Sequence, residues 1–107
     1  MANLTKLTDQ DFENTVRSSP HPVLVDFSAT WCQPCKALAP TIEALAKEYS
    51  GRLSVYNVDV EEASETAGHF GIHGVPTCIF FKGGKEVDRF SGNMDINSVR
   101  QRVEKVL

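Results

Sequence analysis

The sequence predicts an α/β fold, with one mixed sheet of five strands and four helices over its two faces, a three-layer αβα sandwich. Three observations predict it. Short stretches rich in Val, Ile and Phe read as strands, and between them lie segments whose apolar residues recur every three or four positions, as helices require. The elements follow in the order βαβαβ and then αββα, which implies parallel strands first, joined by crossover helices, and an antiparallel hairpin last. The 107 residues, 41% hydrophobic and 23% charged, suit one folded domain spanning 1–107 with no linker or internal repeat.

Leu4 to Leu7 is a short first strand. Thr8-Asp9-Gln10-Asp11 has the capping-box pattern with Asp at its last position, and Leu7 and Phe12 stand at the spacing of a hydrophobic staple. With Val16 continuing that face, a helix is expected from about Asp9 to Arg17. Pro20 and Pro22 then impose a loop. Val23-Leu24-Val25-Asp26-Phe27, continued by Ser28, is a strand apolar on both faces except for one carboxylate. A helix is expected from about Cys32 to Tyr49, because Cys35, Leu38, Ile42, Leu45 and Tyr49 form one stripe; Pro40 within it predicts a kink. Leu53 to Val60 alternates with period two and predicts a strand, and Glu61 to Phe70, acid-rich at its start, predicts a third helix. After a turn over Gly71 to Pro76, Thr77 to Phe81 and Glu86 to Ser91 are strands joined by the turn Lys82-Gly83-Gly84-Lys85. Asp95 caps a last helix that carries Ile96, Val99, Val103 and Val106 on one face.

The chain is organised around Ala29-Thr30-Trp31-Cys32-Gln33-Pro34-Cys35-Lys36, where the most strand-like run meets the longest helical pattern. Cys32 falls at this corner, where unpaired backbone N–H groups and the positive end of the helix dipole favour an anion, for cysteine the reactive thiolate. Cysteines three apart at a helix start lie on the same side, so their sulfurs can reach bonding distance with little backbone motion. Pro34 fits the first helical turn, where its missing N–H costs no hydrogen bond. The alternative for the pair is structural, as buried thiols or half a zinc site, but Cys78, His21, His69 and His73 supply no second ligand pair of comparable spacing. No metal is therefore expected. Trp31, at a corner beside a nucleophile, is expected in an apolar docking surface rather than the core. Cys78, within a strand, is expected to be a packing residue, with a regulatory thiol as the alternative.

A formal net charge of −3 with a pI near 5.5 gives no electrostatic case for nucleic acid or an anionic membrane. The first residues lack the layout of a signal peptide and no apolar run approaches a membrane span, so a cytoplasmic protein is expected. Three cysteines cannot all pair within one chain, which suits a reducing compartment. The absence of a nucleotide or flavin fingerprint predicts no bound cofactor. A monomer is the default.

Trp-Cys-Gln-Pro-Cys-Lys, preceded by Val-Asp-Phe-Ser-Ala-Thr, resembles the active-site segment of the thioredoxin family. Gly74-Val75-Pro76-Thr77 resembles that family's cis-proline loop, and Gly92 its late glycine, so the resemblance covers nearly the whole chain. It implies the thioredoxin fold and a general protein thiol–disulfide oxidoreductase. Substrate disulfides would be reduced through a Cys32/Cys35 dithiol–disulfide cycle, and a separate thioredoxin reductase would recharge the pair. Cys32 would be the nucleophile and Cys35, the more buried thiol, the resolving group. Val75-Pro76 would be a cis bond exposing the Val75 backbone to an extended substrate, with Trp31, Gln33, Pro34, Gly74, Gly92 and Asn93 around the same surface. Asp26, expected to be buried with a raised pKa, would accept the Cys35 proton. Many family members carry lysine at the Asn57 position; here a neutral amide is expected to hydrogen-bond Asp26 instead. Gln33 stands where glycine is common. An oxidase or isomerase on the same fold, and a non-catalytic binding subunit, are the competing functions.

Overall fold

The computed structural model describes residues 4–107, and strands and helices alternate along it as the periodicities require. The strands are β1 (Thr5–Lys6), β2 (Val23–Ser28), β3 (Ser54–Asp59), β4 (Thr77–Lys82) and β5 (Lys85–Ser91). The helices are α1 (Phe12–Arg17), α2 (Gln33–Glu48), α3 (Ser64–His69) and α4 (Ile96–Val106). They build one five-stranded sheet in the order β1-β3-β2-β4-β5. β3 pairs in parallel with both β1 and β2, whereas β4 runs antiparallel to β2 and β5 antiparallel to β4. The expected change from crossover connections to a hairpin is thus found.

Side-chain alternation along the central strands separates two cores. Leu24, Cys78, Phe80 and Phe90 face α2 and α4, where they meet Leu38, Ile42, Leu45, Val99 and Val103. Val23, Val25, Phe27, Ile79 and Phe81 face the other way, onto Phe12, Val16 and Phe70. Phe70 lies edge-on to Phe81 with ring centroids 5.3 Å apart. Leu38, Ile42 and Leu45 have no exposed surface, so the α2 stripe is worth about 1.5–3 kcal/mol per side chain relative to exposure. These three anchor the helix that begins at the cysteines. α2 runs on through Pro40. Asp95 caps α4 as expected, accepting from the Ser98 N–H at 3.1 Å.

Two helices start later than their sequence patterns imply. Asp11 Oδ1 accepts from the Thr8 N–H at 2.7 Å, one half of the expected capping box, yet residues 9–11 form a turn and α1 opens at Phe12. The Asp9 carboxylate is committed elsewhere: it accepts from the Thr66 N–H at 2.8 Å and the Thr66 hydroxyl at 2.7 Å, tying the chain before α1 to α3. α3 opens at Ser64 rather than Glu61, because Asp59 Oδ1 accepts from the Glu61 and Glu62 N–H groups at 2.8 and 3.2 Å and folds that stretch into a turn. The β4–β5 hairpin turns on Gly83 and Gly84, with φ of +62° and +80°, a left-handed pair that L side chains adopt poorly.

Candidate active site

Where β2 ends, Ala29, Thr30 and Trp31 turn the chain into α2 and leave Cys32 at its N-cap, with extended φ −89° and ψ 113°. The Cys32 sulfur accepts from the Cys35 N–H at 3.2 Å, the place a Ser or Asp oxygen takes in other helices. Cys32 and Cys35 are joined as a disulfide with their Cα atoms 5.3 Å apart. Pro34 lies in the first turn of α2, as expected. The two cysteines are equally hidden, 3% and 4% exposed, so Cys35 is not the more buried of the pair. Ala29 forms one apolar cluster with the two cysteines, and Val60 and Val75 pack against it.

That loop contains the cis Val75–Pro76 bond, and the Val75 carbonyl oxygen stands 3.6 Å from Cys32 Sγ. The Thr77 hydroxyl donates to the Gly74 carbonyl at 2.7 Å, and the Gly92 N–H donates to the Pro76 carbonyl at 2.9 Å. Gly92 does so at φ +84°, which explains a glycine there. Three chain segments distant in sequence therefore meet at one rim. Trp31, 63% exposed, stands beside the sulfurs rather than in the core; Gln33, Pro34, Gly74 and Asn93 are exposed too.

Beneath the rim, Asp26 is fully buried on the sheet face that α2 covers, as its apolar neighbours implied. The cross-strand register sets Asn57 on one side of it and Cys78 on the other. Burial pushes the Asp26 carboxyl up to about 6, opposed by the Cys78 thiol, whose Sγ lies 3.8 Å from Oδ1. Oδ2 has no hydrogen-bond partner among the described residues. Asn57 does not serve the carboxylate as expected: its Nδ2 donates to the main-chain carbonyl of Asp26 at 3.0 Å and to the Ser28 hydroxyl at 2.8 Å, which uses both amide hydrogens. Burial, reinforced by the Asp26 charge, holds the Cys78 thiol well above its ordinary range. Ser28 and the link from Cys78 to Asp26 were not foreseen, since strand register is not visible in a single sequence.

A cleft of about 230 Å³ runs from Lys6 and Lys36 inward to Cys35, Ser28 and Asn57. A larger one, about 530 Å³, lies on the other sheet face between α1 and α3 and holds no cysteine. No group of three or more His, Cys, Asp or Glu among the described residues is placed to hold a metal ion. No helix among them is long and apolar enough to cross a membrane.

A Cys-x-x-Cys disulfide at a strand-to-helix corner, closed by a cis-proline loop on a mixed sheet, defines a thiol–disulfide oxidoreductase. Residues 3–105 match the family model for Thioredoxin, and the chain belongs to that family. It is 38% identical over 107 residues to Thioredoxin 1 of Nostoc sp., covering 100% of both chains. It is 39% identical to the thioredoxin of Staphylococcus saprophyticus over 97% of this chain and 98% of that one. To the chloroplastic M-type thioredoxin of Pisum sativum it is 40% identical over 94% of its own length, but it spans 59% of that protein. The protein is a general thiol–disulfide oxidoreductase with protein-disulfide reductase activity, its substrates proteins that carry disulfides and its dithiol restored by a reductase.

Proposed function

We propose that Cys32 is the attacking sulfur and Cys35 the resolving one. In the reduced protein the Cys32 thiolate attacks one sulfur of a substrate disulfide, forming the Cys32–substrate bond and releasing the other substrate sulfur as a thiolate. Cys35 then gives its proton to Asp26 and attacks Cys32 Sγ. The Cys32–Cys35 bond forms, the mixed disulfide breaks, and the electron pair leaves on the second substrate sulfur. Two electrons pass to the substrate, and the protein ends as the disulfide described above. The observation that carries this assignment is the Cys35 N–H directed at Cys32 Sγ from the first turn of α2, an arrangement that stabilises negative charge on Cys32. An Asp26 carboxyl pushed up by burial to about 6 is the complement, a better proton acceptor for a thiol than an ordinary carboxylate.

The substrate strand would lie along Val75, whose backbone precedes Pro76, with Trp31, Gln33, Pro34, Gly74, Pro76, Gly92 and Asn93 around it. Exposed Trp31 next to the sulfurs supports this docking surface. A monomer in the cytoplasm, recharged by a thioredoxin reductase, fits the reading. In Cys35→Ser, a substrate should stay trapped as a mixed disulfide on Cys32, visible by mass spectrometry of the complex. Trapping in Cys32→Ser through Cys35 instead would reverse the two roles.

A further inference from the structure

We infer that Cys78 is a positioning residue of the redox site: its thiol, held across from Asp26 by the strand register, donates to Oδ1 and so leaves Oδ2 as the oxygen that takes a proton. This rests on the reading of Asp26 as the proton acceptor. Three observations place Cys78 in the role. It is the β4 residue paired with Asp26, so both side chains leave the sheet on the face that α2 covers. Its sulfur is 3.8 Å from Oδ1, within reach of a weak S–H donor, while Oδ2 lacks a partner among the described residues. It is fully buried and next to a carboxyl, conditions that keep its proton on, so it can donate and is a poor nucleophile.

A carboxyl buried with neither oxygen engaged would be free to rotate and costly to ionise; one with a single fixed donor presents a defined lone pair and ionises more readily. The other groups on this side of the sheet leave the role to Cys78. β3 contributes the amide of Asn57, already committed, and Asp59 two residues further along. β1 contributes Lys6, two strands away and paired with Glu62 at 3.4 Å. β2 itself contributes the Ser28 hydroxyl, which accepts from Asn57 Nδ2 at 2.8 Å. β5 contributes Phe90 and, two residues before it, Asp88, which is paired with Arg102 of α4 at 3.0 Å; Val99 and Val103 of α4 carry no donor. α2 contributes Cys35, which carries no proton in the disulfide, and Lys36, which is exposed.

The disulfide form isolates the test, because Cys35 cannot titrate there. Carboxyl carbon NMR of the oxidised full chain should show the Asp26 midpoint raised by ~0.5 pH unit or more in Cys78→Val, which removes the donor and keeps the site closed to water. In Cys78→Ser, whose hydroxyl restores a donor, it should return to the native midpoint or fall below it. The rate of mixed-disulfide resolution near pH 6 should drop about twofold or more in Cys78→Val and recover in Cys78→Ser, with the pH profile displaced by as much as the Asp26 midpoint. Where valine does not fit, Cys78→Ala is read in the same way. An unmoved or lowered midpoint in the donorless variant would overturn the inference, as would equal displacement in Cys78→Ser. Asp26→Asn tests the underlying reading separately: undiminished resolution there removes Asp26 from the reaction, whatever Cys78 does to its titration.

Discussion

Cys32 and Cys78 are about equally hidden, 3% and 0% exposed, yet they meet opposite fields. Cys32 caps α2 and accepts a backbone N–H, so negative charge on its sulfur is welcomed by a donor and by the positive end of a 16-residue helix. Cys78 sits in mid-strand with a carboxylate oxygen 3.8 Å away, so negative charge there is opposed by burial and by a neighbour of like sign. Burial alone therefore does not separate a reactive cysteine from an unreactive one in this fold. The backbone groups and charges that face the sulfur do.

The sharpest way to break this comparison is to remove each sulfur in turn. Cys32→Ser should lower insulin-disulfide reduction, driven by an electron-supplying reductase, by more than ~10³-fold, while Cys78→Ser stays within about threefold of native. Comparable losses in the two variants would mean that both sulfurs carry electrons. In the reduced native protein near pH 7, alkylation followed by peptide mapping should find Cys32 modified more than ~10²-fold faster than Cys78, and the gap should close once the chain is unfolded. A Cys78 that reacts early in the folded state would contradict the field argument.

The carboxylate between the two environments gives an equilibrium test. Burial raises Asp26 from an ordinary value of 3.8 to about 6, so the folded state holds its proton more tightly than the unfolded state does. Its contribution to stability is fully present below the unfolded value and is lost as pH rises through the folded one, a change of about 3 kcal/mol. Urea unfolding of the oxidised protein should show native stability, relative to Asp26→Ala, falling by about that amount between roughly pH 3 and pH 8, with Asp26→Ala neutral or stabilising at the upper end. A difference flat with pH would mean that this carboxyl is hydrated.

Gln33, exposed between the two active-site cysteines, should have the smallest effect. Gln33→Gly should change the Michaelis constant for protein disulfides yet move the redox potential by less than about 30 mV, since a solvated side chain adds little to the field at the sulfurs. A larger displacement of the potential would show that residue 33 tunes the sulfurs directly.

What the sequence determined by itself is local. The α2 stripe from Cys35 to Tyr49, the cysteine pair at a strand-to-helix corner, the Asp95 cap and the Gly83-Gly84 turn each depend on residues a few positions apart, where one period or one φ preference decides the outcome. Asp26 was legible for the same reason, as a carboxylate inside a run too apolar to face water. The tertiary structure alone decided what lies next to these features. Asp9 gives its carboxylate to Thr66, 57 residues away, and the helices on either side start late. Asn57 turns its amide to a main-chain carbonyl and a serine, and Cys78 rather than Asn57 reaches the Asp26 side chain. Such pairings follow from strand order and register, which are fixed by burying both sheet faces at once, and the stretch Val23 to Phe27, apolar on both faces, favours no one register over its neighbours until the other strands and helices pack against it.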